Sequence, residues 1–161
     1  MAKKQPKDKS ESAPKSIQNR KAYHEYEIID TFEAGLVLAG SEVKSVFHGR
    51  ANLTDAYCKV TNGEAWLINA DIEPYENASF DKTERRRDRK LLLHKREIDQ
   101  IDRKSKEKGF TIVALKIYFK NRKAKVEIGL ARGKSHYDKR EALAKKDERR
   151  ELERMRSLRR P

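Results

Sequence analysis

The sequence is poor in several things, and each scarcity closes off a class of protein. Among its 161 residues are one cysteine, one tryptophan and four prolines. The single thiol, Cys58, excludes an intrachain disulfide and argues against a thiolate zinc site. It sits in a strand-like run and is expected as a small, half-buried residue, with the reducing cytoplasm as the compartment. No apolar run approaches the length needed to span a bilayer. The lysine-rich start has no apolar stretch of the kind found in secretory signals. The four histidines, His24, His48, His94 and His136, show no metal-ligand spacing. Glycine-rich phosphate loops and the GxSxG nucleophile turn are missing. Glu33 and Glu42 could be imagined as a carboxylate pair for metal-assisted phosphodiester chemistry, but carboxylates in so charged a chain are usually solvated or paired. The expectation is a protein that is not an enzyme and uses no cofactor or metal.

What is abundant is charge. Charged residues are 40% of the chain and apolar ones 36%, so a core is possible but small. The net charge is +13, and it is unevenly spread. Residues 1–21 carry seven Lys/Arg and two Asp/Glu, and residues 132–161 carry twelve and six. The stretch between is nearly balanced. Two basic ends around a neutral body suit a polyanion, and without a membrane segment nucleic acid is favoured over a membrane surface.

Patterning predicts three parts: a disordered basic arm over 1–18, a domain over 19–133 and a basic tail over 134–161. Tyr26, Ile28, Phe32, Leu36 and Leu38 fall at even positions, predicting a long strand or bent strand pair from Ala22 to Leu38. Val43, Val46 and Phe47 predict a short helix, with Ser41 as N-cap and Gly49 just past its end. Leu53–Val60 and Ala65–Ile72 read as strands joined by an Asn62-Gly63 hairpin turn. An arginine-rich loop fills Pro74 to Arg89. A short apolar segment, Lys90 to His94, leads into a helix over Lys95–Lys108. Strands follow at Phe110–Phe119 and Lys125–Leu130. The fold class is mainly β, with about six strands and two short helices. An antiparallel barrel of the oligonucleotide-binding type fits, and a four-stranded α+β sandwich is the competing architecture. In the tail, Leu152, Met155 and Leu158 form a stripe too thin to bury a helix, so the tail is expected to be disordered alone and helical against a partner.

RNA is the best-supported polyanion. Asn19-Arg20-Lys21-Ala22-Tyr23-His24 interleaves cations for phosphates with rings that stack on unpaired bases. The cluster Thr83 to Lys90, TERRRDRK, adds arginines that either read phosphates or stay solvated. A generic single-strand or ribosomal binding module and a small RNA-processing enzyme remain as alternatives.

Several runs together resemble one family. They are Asn19–Tyr26, Phe32-Glu33-Ala34-Gly35-Leu36, Glu42-Val43-Lys44-Ser45, Asp55-Ala56-Tyr57, Arg89–His94, Ala114–Tyr118 and Gly133-Lys134 with Tyr137-Asp138-Lys139-Arg140. They cover roughly residues 19–140 and are similar to the SsrA-binding proteins (small protein B), partners of transfer-messenger RNA. The resemblance implies an oligonucleotide-binding-like barrel that holds the tRNA-like domain of that RNA. It implies delivery with elongation factor Tu to ribosomes stalled without a stop codon. Glu33, Leu92 and Lys125 match positions implicated in holding the RNA, and Asn19, Arg20, His24, Lys44 and His94 lie in matching runs. Lys134, Tyr137, Asp138, Lys139 and Arg140 match the tail motif linked to the decoding centre, beyond which a helix enters the empty mRNA channel. A carboxylate at Glu33 repels phosphate, so its use there would be to accept hydrogen bonds from base amino or ribose hydroxyl groups.

Overall fold

Alternation of apolar residues makes strands, and their pairing closes a ring. The structure is a computed structural model that describes residues 13–77, 83–134 and 136–159, and of 136–139 the backbone alone. In chain order the elements are β1 (Ile17–Gln18), α1 (Arg20–Glu25), β2 (Tyr26–Leu36), α2 (Gly40–Phe47), β3 (Ala51–Asn52), β4 (Tyr57–Thr61) and β5 (Glu64–Ile68). There follow β6 (Asp71–Ile72), β7 (Arg89–Leu92), α3 (Lys95–Ser105), β8 (Phe110–Lys120), β9 (Lys123–Gly133) and α4 (His136–Leu158). All pairings are antiparallel. The order β8-β4-β5-β7-β2-β9 returns to β8, which makes a six-stranded barrel and rules out the open sandwich. The short β1 lies on the same edge of β8 as β4, and β3–β6 form a small separate sheet.

The barrel interior takes the inward faces of these strands, including Ala34, Leu67, Leu91, Ala114, Ile117, Val126 and Ile128, all essentially inaccessible. Ile98 and Ile101 of α3 join the same core. A second, smaller core of Ala22, Val113, Leu115 and Ala131 lies under α1. It explains why Ile112, Val113, Ala114 and Leu115 are all buried although they point to alternating sides of β8. A bulge between Ala114 and Lys116 re-aims the strand there. Gly129 lets the second core close, since a Cβ there would stand 3.0 Å from Leu115 Cδ1.

Several expectations change. The strand expected from Ala22 begins at Tyr26, because Asn19 Oδ1 caps a helix by accepting the Ala22 N–H at 3.1 Å. The arm expected over 1–18 is ordered at its end: Ile17 is buried, and β1 pairs with Ile117 and Lys116. The helix α2 starts two residues earlier than a Ser41 cap allows, with Ala39 as N-cap and Glu42 Oε2 accepting the Ala39 N–H at 3.0 Å. Leu53–Ala56 is a turn rather than strand, held by Thr54 donating to Asn52 Oδ1 and by Ala56 N–H on Leu53 O. Asn69, at φ +63°, interrupts the strand expected over Ala65–Ile72. The Asn62-Gly63 turn has both residues at positive φ, as a type I′ hairpin requires. Asn121-Arg122 forms a second such turn between β8 and β9.

Candidate nucleic-acid interface

Four of the expected RNA-facing residues come from three strands and one helix start, yet they line one concavity. Glu33 lies on β2, Leu92 on β7, His94 at the N-cap of α3 and Lys125 on β9. Together with Lys90, Glu64 and Glu97 they surround a hollow of about 700 Å³. Strand register produces the gathering. Leu92 pairs with Gly35, and Gly35 pairs with Lys125, so the three share a row on the barrel's outer face. Leu92 is 56% exposed, an unusual cost for a leucine that a ligand would remove.

The electrostatics of the hollow are mixed. The Tyr118 hydroxyl donates to Glu33 Oε2, and Lys120 Nζ stands 3.5 Å from Oε1. The Tyr118 hydrogen bond, aided by Lys120 and Lys125, outweighs desolvation and holds the Glu33 carboxyl below its ordinary value. Burial and the Glu33 hydrogen bond push the Tyr118 hydroxyl up to about 12. Glu33 is therefore an ionised acceptor at neutral pH, and Tyr118 a donor. Lys90 is engaged by Glu64 at 3.0 Å. Among the described residues no carboxylate pairs with Lys125. The backbone N–H of His94 donates to Glu97 Oε2 at 3.0 Å, which closes the N-terminus of α3.

A second groove, of about 320 Å³, joins residues expected in two different roles. Arg20, Tyr23 and His24 of α1 face Lys134 and the α4 residues Ala142, Leu143 and Lys146. Lys134 ties the tail root to α1: its N–H donates to Glu25 O at 2.9 Å and its Nζ to Tyr23 O at 3.1 Å. The helix α4 buries little. Leu143, Leu152, Met155 and Leu158 are all exposed, as is Arg140, and ion pairs such as Glu141–Lys145 at 2.9 Å run along its surface. The side chains of Tyr137, Asp138 and Lys139 lie outside the described residues.

Two of the expected residues, Asn19 and Lys44, and the arginine cluster lie outside both hollows. Asn19 is buried, and its side-chain amide donates to Leu53 O at 2.8 Å and Ala114 O at 2.9 Å. With its Oδ1 capping α1, its side chain is fully engaged within the protein. Lys44 lies away from both hollows, with its ammonium 5.2 Å from the Tyr75 ring centre. The Arg85–Arg89 cluster is spent on the protein. Arg85 binds Asp71 through Nε at 2.8 Å and Nη2 at 3.1 Å. Arg87 donates to Glu42 at 2.9 and 2.6 Å. Arg89 is wholly buried, donating to Glu42 Oε1, Ala70 O, Arg87 O and Arg85 O. Burial pushes the Glu42 carboxyl up, but hydrogen bonds from Arg87, Arg89 and the Ala39 N–H leave it below its ordinary value. Glu33 and Glu42 are thus held by different partners. Among the described residues no three of His, Cys, Asp or Glu gather in a way that could hold a metal ion. Cys58 is buried, which drives its thiol well above its ordinary pKa. No helix among the described residues is long and apolar enough to cross a membrane.

Tyr118 is the residue that sequence reasoning missed. It lies in a matching run, but its link to Glu33 spans 85 positions and no local pattern signals it.

Comparison with known proteins gives one consistent answer. The family described as SmpB protein matches residues 16–158. The SsrA-binding protein of Carboxydothermus hydrogenoformans is 54% identical over 136 residues, 84% of this chain and 91% of that protein. Those of Syntrophobacter fumaroxidans and Thermobifida fusca are each 50% identical, covering 96% of this chain and 98% and 96% of their own lengths. A solved structure described as "tmRNA-SmpB: a journey to the center of the bacterial ribosome" is similar with a TM-score of 0.66 at 47% identity. The match covers 81% of this chain and 95% of that one.

Proposed function

The chain belongs to the SmpB protein family, and from that premise we propose that it binds the tRNA-like domain of transfer-messenger RNA and brings it to stalled ribosomes. The observation that carries this reading is the concavity where Glu33, Leu92, His94 and Lys125 meet. It offers an ionised acceptor, an exposed apolar side chain and a cation within one hollow. Folded RNA is recognised by such mixtures, with phosphates met by cations and splayed bases by apolar surface and hydrogen-bond acceptors. A plain polyanion binder would need no carboxylate there. Arg20 and His24 extend the surface toward the root of the tail.

The tail has a separate role in this reading. Helix α4 carries many cations and exposes its apolar residues, so its natural surroundings are a polyanion with shallow apolar contacts. We assign it to the vacant mRNA channel, with Lys134, Tyr137, Asp138, Lys139 and Arg140 at the decoding centre. The helix is then stabilised chiefly there and frays when the protein is free. Elongation factor Tu joins the delivery complex, and the cytoplasm is where these partners meet.

Truncation after Gly133 separates the two roles. The truncated protein is expected to keep most of its affinity for free transfer-messenger RNA and to lose peptide tagging in a reconstituted stalled-ribosome assay. A scrambled tail of equal charge should also fail. Full tagging by the scrambled tail would reduce α4 to a nonspecific anchor.

A further inference from the structure

The outer face of β2, β9 and β8 is an ordered array. One row runs Leu92–Gly35–Lys125–Tyr118 across β7, β2, β9 and β8, and the adjacent row runs Glu33–Glu127–Lys116. Two features stand out. Gly35 lets the Leu92 side chain lie close over β2, since a Cβ added there would sit 3.1 Å from Leu92 Cβ and 3.4 Å from its Cδ1. And Glu33 stands directly opposite Glu127, a like-charge pairing that cross-strand neighbours ordinarily avoid.

The surrounding groups resolve that repulsion unequally. Lys116 sits 3.4 Å from Glu127 and 5.1 Å from the Tyr118 ring centre, so it serves Glu127 and the ring. Glu33 has the Tyr118 hydroxyl on Oε2, the more distant Lys120 beside Oε1, and Lys125 across the strand. Lys90, Glu64, His94 and Glu97 complete the charged or titratable groups around the hollow. An ionised carboxylate has about four acceptor positions. Tyr118 fills one and Lys120 reaches a second, which orients the carboxylate and leaves others open toward the hollow.

We infer that Tyr118 is a positioning residue, holding Glu33 so that its free lone pairs accept a hydrogen bond from an amino or hydroxyl group of an unpaired nucleotide seated in the hollow beside Leu92 and Lys125. The inference rests on the RNA-binding reading above. Tyr118 does not touch the nucleotide. It acts through Glu33, by direction.

Tyr118→Phe is the test, because it keeps the ring against Lys116 and removes only the donor. Binding to the isolated tRNA-like domain should weaken about tenfold, the loss expected for one charge-assisted hydrogen bond. Thermal midpoint and low-salt binding to polyuridylate should stay unchanged. The double variant Tyr118→Phe/Glu33→Gln should bind no more weakly than Glu33→Gln alone, since both changes break one device. Without RNA present, the Glu33 carboxyl followed by NMR should titrate at higher pH in Tyr118→Phe, closer to the ordinary 4.5. Binding by Tyr118→Phe equal to wild type, an unmoved Glu33 titration, or additive losses in the double variant would each overturn the positioning role. Failure of the function itself shows differently: the wild-type protein would then prefer the tRNA-like domain no more than polyuridylate, and the inference would fall with it.

Discussion

Glu33 and Lys125 sit close together in one hollow, yet electrostatics alone assigns them opposite effects on RNA. Removing a cation weakens attraction to phosphate, and removing a carboxylate strengthens it. Lys125→Ala should therefore lower the slope of log affinity against log salt by roughly 0.7–0.9, the share of one phosphate contact. Glu33→Ala should also weaken binding, by about tenfold, because a specific acceptor is lost. Titrations of both variants across salt concentration, with melts to confirm folding, check the pair. A tighter Glu33→Ala complex would remove Glu33 from the readout. The pH dependence follows from the same group. A carboxyl held below its ordinary value keeps its contribution above the unfolded value of 4.5 and loses it as pH falls through the folded value. The contribution of Glu33 to specific binding should thus be constant through neutrality and be lost only in acid. These two residues were legible in the sequence through family resemblance, since 92 positions separate them and no local period connects them. Asn19 and Arg89 show the opposite limit. Both types usually lie at the surface, and only the distant carbonyls of Ala70, Leu53 and Ala114 and the Glu42 carboxylate explain why these two are buried.

At the scale of elements, the buried Arg89–Glu42 contact is what fixes β7 beside α2. Arg89 opens β7 and Leu92 ends it, so the clamp also sets where Leu92 emerges. Its Nη2 and Nε lie 2.7 and 3.1 Å from Glu42 Oε1, and both side chains are almost fully inaccessible. Breaking one side of such a pair leaves an under-compensated buried charge. Arg89→Met should lower unfolding free energy by about 3 kcal/mol in chemical denaturation. Asp102→Asn, which breaks the exposed pair with Lys106, should cost less than about 1 kcal/mol. Equal losses would show that the clamp is no more than a surface pair. Element type was legible wherever alternation or a turn signal was strong, as in β2, the Asn62-Gly63 hairpin and α3. It failed where a single side chain decides: the Asn19 cap turns an expected strand start into α1, and the Asn52 turn displaces an expected strand. The bulge that buries both faces of β8 depends on α1 packing outside the barrel, which no periodicity in β8 reports.

The whole molecule divides its charge as it divides its work. The barrel body is nearly neutral and keeps its ion pairs largely to itself, while α4 carries many cations on a helix that buries almost nothing. A body that neutralises its own arginines gains little from indiscriminate attraction to RNA, and the proposed function assigns its selectivity to the hollow around Glu33, Leu92, His94 and Lys125. The tail, by contrast, presents its cations on an exposed helix. The most direct test of this division is to capture the full-length protein from cells at moderate salt and sequence the RNA it retains, beside a Leu92→Ala/Lys125→Ala variant. The account predicts one dominant structured RNA, transfer-messenger RNA, on the wild-type protein and its loss from the variant, although the variant keeps the whole basic tail. A broad mixture of RNAs on the wild type, or the same dominant RNA retained by the variant, would contradict it.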